Sequence, residues 1–500
     1  MEMNYDEATL RQIEEELDTK IYPGTEIMTD VGSHRFVKSS PGSDRVLVPQ
    51  PSNNPHDPLN WNRYWKMSAM SVATMVTFAQ GFGPLALAPM FPQLIKDFNS
   101  DLAGVVQFAG VCILVLGFSN FFWVPTAQPQ IIADIVFLHE RGAYNTLYFT
   151  VYFATLIVSP IIAGPMTEHL HWRQFWWLNT AILALALLMS IFMFPETRWH
   201  RQHPKPLGSV ETADNGLQIE HVDTSEGKPT TEHISDEEVV PVDPCLGKGK
   251  PAKQQFKLFQ VNETPFKSMF KDFWVPWKLH LFPIIHLASF VVSFSASVFL
   301  AVNLTQSQNF AAPPYNFSPQ TVGFFNFAIL VGVMIGLATN GALSDWVSML
   351  ATKKNRGIRE PEMRLPAMIP YTILMIIGSL VVAFGYEYKW DWKIIVIIGF
   401  TAVGIQVAAL PAIASTYAVD SYKPVAGSIF VTITVNKNLW GYGLSKFITP
   451  WTEKDGFIPA YMLIMALTTL FCASGVIFYY YGKKMRKITA KSSVHNMGVD

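Results

Sequence analysis

Ten apolar runs, each long enough to cross a lipid bilayer, constrain this chain more than any other feature. A spanning helix needs about 20 mostly apolar residues. The runs cover residues 67–92, 102–124, 143–165, 175–195, 281–303, 322–343, 365–386, 394–414, 425–448 and 458–481. In lipid, every backbone N–H and C=O must be satisfied within the protein, which admits helices and closed barrels only. The alternating segments of a barrel are absent. The expected fold class is therefore an all-α membrane protein, with about ten full spans. Composition agrees, since 50% of the residues are hydrophobic and only 15% are charged, against about a quarter in a soluble chain. The net charge of −1 gives no reason to expect nucleic acid, and the lipid bilayer is the expected partner.

The charged residues gather between the runs. Lys353, Lys354, Arg356, Arg359 and Arg364 share one connector, Arg141 sits in another, and Lys483, Lys484, Arg486 and Lys487 follow the last run. The loop 304–321 has no Lys or Arg. The positive-inside rule puts the basic connectors and both termini in the cytoplasm. The expected organisation is a cytoplasmic tail at 1–65, a first membrane half at 66–195, a linker at 196–278, a second half of six helices at 279–482 and a tail at 483–500. The linker contains 209–244, rich in Glu, Asp, Ser, Thr and Pro. Such a composition buries too little apolar surface to fold, so disorder is expected there. No cleavable signal peptide opens the chain, and the first run is expected to act as its own insertion signal. Three cysteines without metal spacing suggest neither a disulfide framework nor a metal site.

The linker divides the runs four and six, whereas many secondary transporters consist of two six-span halves. Several segments carry a more specific resemblance. Asp57-Pro58-Leu59-Asn60-Trp61 precedes the first run, and Gln128-Pro129-Gln130 leads into 131–142. Ser159-Pro160-Ile161-Ile162-Ala163-Gly164-Pro165 is followed by Trp172-Arg173. The second half holds Gly341-Ala342-Leu343-Ser344-Asp345, then 355–365, then Tyr417-Ala418-Val419-Asp420. As an ordered set these resemble fungal members of the major facilitator superfamily, in the group similar to drug:proton antiporters.

The resemblance implies a major facilitator helical bundle. It implies a secondary active transporter of a small organic solute or drug, probable proton coupling included, working by alternating access as a monomer in the plasma membrane. No enzyme activity, cofactor or metal goes with it, and HExxH, GxSxG and phosphate-loop patterns are absent from the sequence. The family's loop after the second span, its third span and most of its fourth have no counterpart, because 122–125 runs almost directly into Gln128. The piece 131–138 is too short to cross alone. This gap keeps open an alternative, a non-transporting receptor or scaffold derived from a transporter.

Polar side chains inside spans are costly, which makes them site candidates. The candidates for solute binding are Gln80, Asn303, Gln306, Asn326, Gln406, Tyr417, Asn436, Lys437 and Asn438, with Asn120 also inside a run. For each amide the competing reading is a hydrogen bond between helices. Lys437 can pair with a carboxylate, bind carbonyls or reach toward a surface. Phe78, Phe82, Tyr417 and Trp440 are candidate lining for flat or cationic solutes. The runs contain no Asp or Glu, and Asp134 is the nearest carboxylate. By resemblance, Gly341, Asp345, Arg356, Glu360 and Arg364 form a conformational latch, with Gly341 expected at a close helix approach. Ser159, Pro160, Ala163 and Gly164 match the family's antiporter motif.

Overall fold

A computed structural model describes residues 22, 24–27, 52, 54–122, 128–197, 199, 247–257, 273–355, 358–422, 425–489 and 492. Arg356, the junction at 123–127 and the expected linker at 200–246 lie outside the described residues, as does the side chain of Asn120. The first half holds α1 (Arg63–Gly81), a short α2 (Phe91–Phe98), α3 (Leu102–Phe122), a short α4 (Gln128–Ile135), α5 (Leu138–His169) and α6 (Trp172–Met193). The second holds α7 (Pro283–Phe310), a short α8 (Pro319–Phe324), α9 (Asn326–Lys354), α10 (Met368–Glu387), α11 (Trp392–Ser421), α12 (Ala426–Asp455) and α13 (Phe457–Thr489).

Among the described residues, each of the ten apolar runs lies largely on helix. Among the described residues, eight helical segments are long and apolar enough to cross a membrane. The two runs outside that set are α1, which opens on Arg63 and includes Lys66, and α12, which carries Lys437 and Lys446. The run at 67–92 is not one helix. α1 ends at Gly81, and Gly83-Pro84 leads through a turn into α2. A Cβ on Gly83 would come within 3.3 Å of the Trp176 and Asn179 side chains, a tight fit that a small shift of either would relieve. α4, with 8 residues, rises about 12 Å at 1.5 Å per residue, well short of a crossing. α13 runs on through Lys483 and Arg486, so the expected C-terminal tail begins as helix.

Small residues set the tightest crossing in the second half. Gly332 on α9 faces Gly404 on α11, and Gly336 faces Ile405 and Ala408, where a Cβ would stand 2.6 Å from the Ile405 carbonyl oxygen. This is the small-xxx-small arrangement that lets backbones approach in lipid. α7 is surrounded, with most of its residues buried. α6 is the opposite case, with Trp177, Leu187 and Phe192 exposed, as suits a lipid-facing helix.

The segment before α1 is folded. Asp57 caps the turn Pro58–Asn60, accepting from Leu59 N at 3.0 Å, and Trp61 is buried with Nε1 donating to the His56 carbonyl. Part of the expected linker is also ordered. Gly249 exchanges backbone hydrogen bonds with Asn60 and Asn62, both 2.9 Å, and Gln255 accepts at its carbonyl from Glu196 N at 2.7 Å. Residues 247–257 thus belong to the first half through backbone pairing, a signal that side-chain composition does not carry.

Candidate functional site

Two buried amides, Gln306 and Asn326, meet inside the second half, and Asn303 lies one turn from Gln306. Asn303 and Gln306 are one turn apart on α7, so they share a face. Asn326 opens α9, where its Nδ2 donates to Gln306 Oε1 at 3.3 Å and to the Gly323 carbonyl at 3.1 Å. All three residues are fully buried. Both amide atoms of Asn303, Nε2 of Gln306 and Oδ1 of Asn326 have no hydrogen-bond partner among the described residues. A buried polar group left unpaired costs about 1–3 kcal/mol. Spare donors and acceptors kept together at that cost suit an uncharged hydrogen-bonding group of a solute.

The other candidates separate from this set. Gln406 is glue between helices, since its Oε1 accepts from Ser295 Oγ at 2.7 Å and its Nε2 donates to the Ser295 carbonyl at 3.2 Å. Asn436 Oδ1 lies 3.2 Å from His280 Nε2. Lys437 finds neither a carboxylate nor a carbonyl. Its Nζ donates to the Tyr152 hydroxyl of α5 at 2.7 Å and lies 4.9 Å from that ring's centroid. Asn438 packs on Gly117 of α3, where a Cβ would stand 2.8 Å from its own, and its Nδ2 has no protein partner. Tyr417 is buried with an unpartnered hydroxyl. Gln80 is exposed on α1. Phe82 stacks on Phe175 at 5.0 Å within the core, with Phe78 tilted against it, and Trp440 packs on Phe294.

The antiporter-like motif lies where the two halves meet. Ser159 and Ala163 are buried on α5. A Cβ on Gly164 would stand 2.8 Å from the Pro319 carbonyl oxygen, and one on Gly323 would stand 2.7 Å from the Pro160 carbonyl oxygen. Gln320 N donates to Glu168 Oε2 at 3.1 Å just beyond. The prolines and small residues therefore seat α5 against α8, backbone on backbone.

The latch residues divide into two clusters at the end carrying the basic loop. Arg364 reaches Asp345 Oδ1 at 3.1 Å and Asp420 Oδ2 at 3.0 Å. The second contact is ionic, because its angle is poor for a hydrogen bond from Nε. Glu360 turns away, to Lys483 at 2.9 Å and Arg486 at 2.6 Å. Burial alone would push the Glu360 carboxyl up. The Arg486 and Lys483 charges outweigh it and hold the group below the usual glutamate range. Gly341 does not make the expected close approach, since a Cβ there meets nothing within 4 Å. It lies beyond the α9–α11 crossing that Gly332 and Gly336 form.

Sequence reasoning missed Asn309, Tyr152 and His280. Asn309 is buried one turn beyond Gln306 and accepts from Lys389 Nζ at 2.7 Å. Its place on the Asn303–Gln306 stripe was a readable signal; the partners of Tyr152 and His280 were not.

The chain is 23% identical to an uncharacterized MFS-type transporter of Schizosaccharomyces pombe, covering 95% of this chain and 94% of that one. It is 23% identical to the protein HOL1 of Saccharomyces cerevisiae, over 89% of this chain and 91% of that one. The efflux pump radE of Floropilus chiversii is 19% identical, over 87% and 83%. Among solved structures, the proton:xylose symporter XylE aligns with a TM-score of 0.49 and 11% identity, over 85% of this chain and 96% of that one. The family model described as Major Facilitator Superfamily matches residues 123–436, more than half of the chain. This multi-pass membrane protein therefore belongs to the Major Facilitator Superfamily.

Proposed function

We propose that the chain is a secondary transporter moving a small, uncharged or weakly charged organic solute by alternating access, coupled to protons, in the plasma membrane. The observation that carries the reading is the buried set Asn303, Gln306 and Asn326, with amide atoms unpaired in the protein. The seam between the halves supports it. Gly164 against Gly323 and Lys437 against Tyr152 are contacts that a rocking motion would remake. The relatives' names, which include transporters and an efflux pump, favour transport over a receptor or scaffold. The basic-loop end would face the cytoplasm, with 1–65, 196–278 and 483–500 on that side. No Asp or Glu lies within the ten runs, so coupling would pass through other groups, of which Lys437 stands at the seam against Tyr152. The test is solute flux into liposomes holding the purified chain, with and without a pH gradient. Saturable flux that responds to the gradient supports the reading. A panel of uncharged, anionic and cationic solutes showing none would overturn it.

A further inference from the structure

Tyr22 and residues 24–27 of the N-terminal tail lie at the basic-loop end of the second half and touch three separate parts of it. We propose that this segment is a strap that holds the latch loop and the ends of α11 and α13 in one arrangement, and that its release frees them to move.

The contacts come from different elements. Strand β1 (Glu26–Ile27) pairs antiparallel with β2 (Ile358–Arg359) in the latch loop, Glu26 opposite Arg359 and Ile27 opposite Ile358. Thr25 Oγ1 donates to Glu360 Oε2 at 2.9 Å and accepts from Arg486 Nη1 at 3.4 Å. Lys483 Nζ of α13 stands 5.8 Å from the Tyr22 ring centroid. Gly24 has φ +86°, and a Cβ on it would stand 2.6 Å from the Asp420 carbonyl oxygen and 2.9 Å from Ser421 Cα at the end of α11. Only glycine meets both demands, the left-handed backbone and the missing side chain.

Two properties make this a strap rather than a fixed part of the core. A two-residue ladder is far below what holds a sheet together alone, and Tyr22, Gly24 and Thr25 are only half-buried, so the segment belongs to the less stable part of the fold. Its position gives it leverage. Glu360 and Arg486, which it joins, tie the loop to α13, and Asp420, which it covers, is one of the two carboxylates on Arg364. Separation of α11, α13 and the loop requires the strap to leave first.

Hydrogen–deuterium exchange on the full-length purified chain tests the proposal without any transported solute, so its outcome is separate from that of the transport assay. Gly24→Val and a deletion of residues 22–27 are compared with the wild type. Amides at 358–367 and 483–489 are expected to exchange about tenfold faster in both, a local opening, while α7 is unchanged. A synthetic peptide of residues 18–29, added to the deletion variant in excess, restores the protection. Unchanged exchange at 358–367 in both variants overturns the proposal, as does an equal loss of protection in α7, which would mean general unfolding.

Discussion

Arg486 holds Glu362 in a two-pronged grip, with Nε 2.9 Å from Oε1 and Nη2 2.8 Å from Oε2. The guanidinium is fully buried at the end of α13, and the carboxylate belongs to a loop more than a hundred residues earlier. Nη2 also reaches Glu360. Two carboxylates and two cations balance within one cluster, buried at Arg486, Glu360 and Glu362 and open to solvent at Lys483.

Removing one partner from such a cluster is expected to be severe. Arg486→Ala leaves Glu360 and Glu362 facing each other and should destabilise the chain by about 3–5 kcal/mol. Arg486→Lys keeps the charge but loses the fork, and should fall between alanine and wild type. Chemical denaturation in detergent micelles gives the comparison. Equal stability of Arg486→Ala and wild type would show that the cluster contributes nothing.

Glu360 sets a pH dependence with a definite sign. Its carboxyl is held below its ordinary value of 4.5, so its ion pairs stabilise the folded chain above that value. The contribution is lost as pH falls through the lowered one. The melting temperature of the wild type should exceed that of Glu360→Gln at neutral pH, and the gap should close as pH falls below about 4.5. A gap that widens on acidification would contradict the assignment.

The α9–α11 crossing separates two glycines that look alike in sequence. Gly336→Leu should cost about 1–3 kcal/mol through overpacking against Ile405. Gly341→Leu meets open space and should stay within about 0.5 kcal/mol of wild type. Thermal melting of the two variants is the check.

Gln406 differs from the amides at the candidate site. Gln406→Leu leaves the Ser295 hydroxyl unsatisfied and should destabilise by about 1–3 kcal/mol, whatever its effect on transport. The same denaturation assay measures it.

Much of the architecture was legible because the bilayer leaves few choices. Each of the ten apolar runs lies largely on helix, and Gly83-Pro84 marks a break visible in the residues themselves. The Gly332-xxx-Gly336 pair was equally visible, yet Gly341, set in a family-like motif, drew the expectation of close packing. Helix faces decide that question, and they depend on the neighbour. The candidate amides show the same limit. Asn303 and Gln406 are both polar residues in apolar helices, and only the position of Ser295 makes one a structural bond and leaves the other unpaired. Arg486 read as one cation among several after the last run, because its carboxylates lie far away in the chain. The order at 247–257 comes from backbone hydrogen bonds to Asn60 and Asn62, which composition does not report.

Flux in proteoliposomes with wild type and Asn303→Leu, measured beside their stability, tests the central claim most directly. Asn303 has no protein partner to lose, so replacing its buried amide with an apolar group of similar size should leave stability equal or raised. Saturable solute flux should fall at least about tenfold, the loss of one or more strong hydrogen bonds to the solute. Undiminished flux in a stable Asn303→Leu protein would contradict a solute site at Asn303, Gln306 and Asn326.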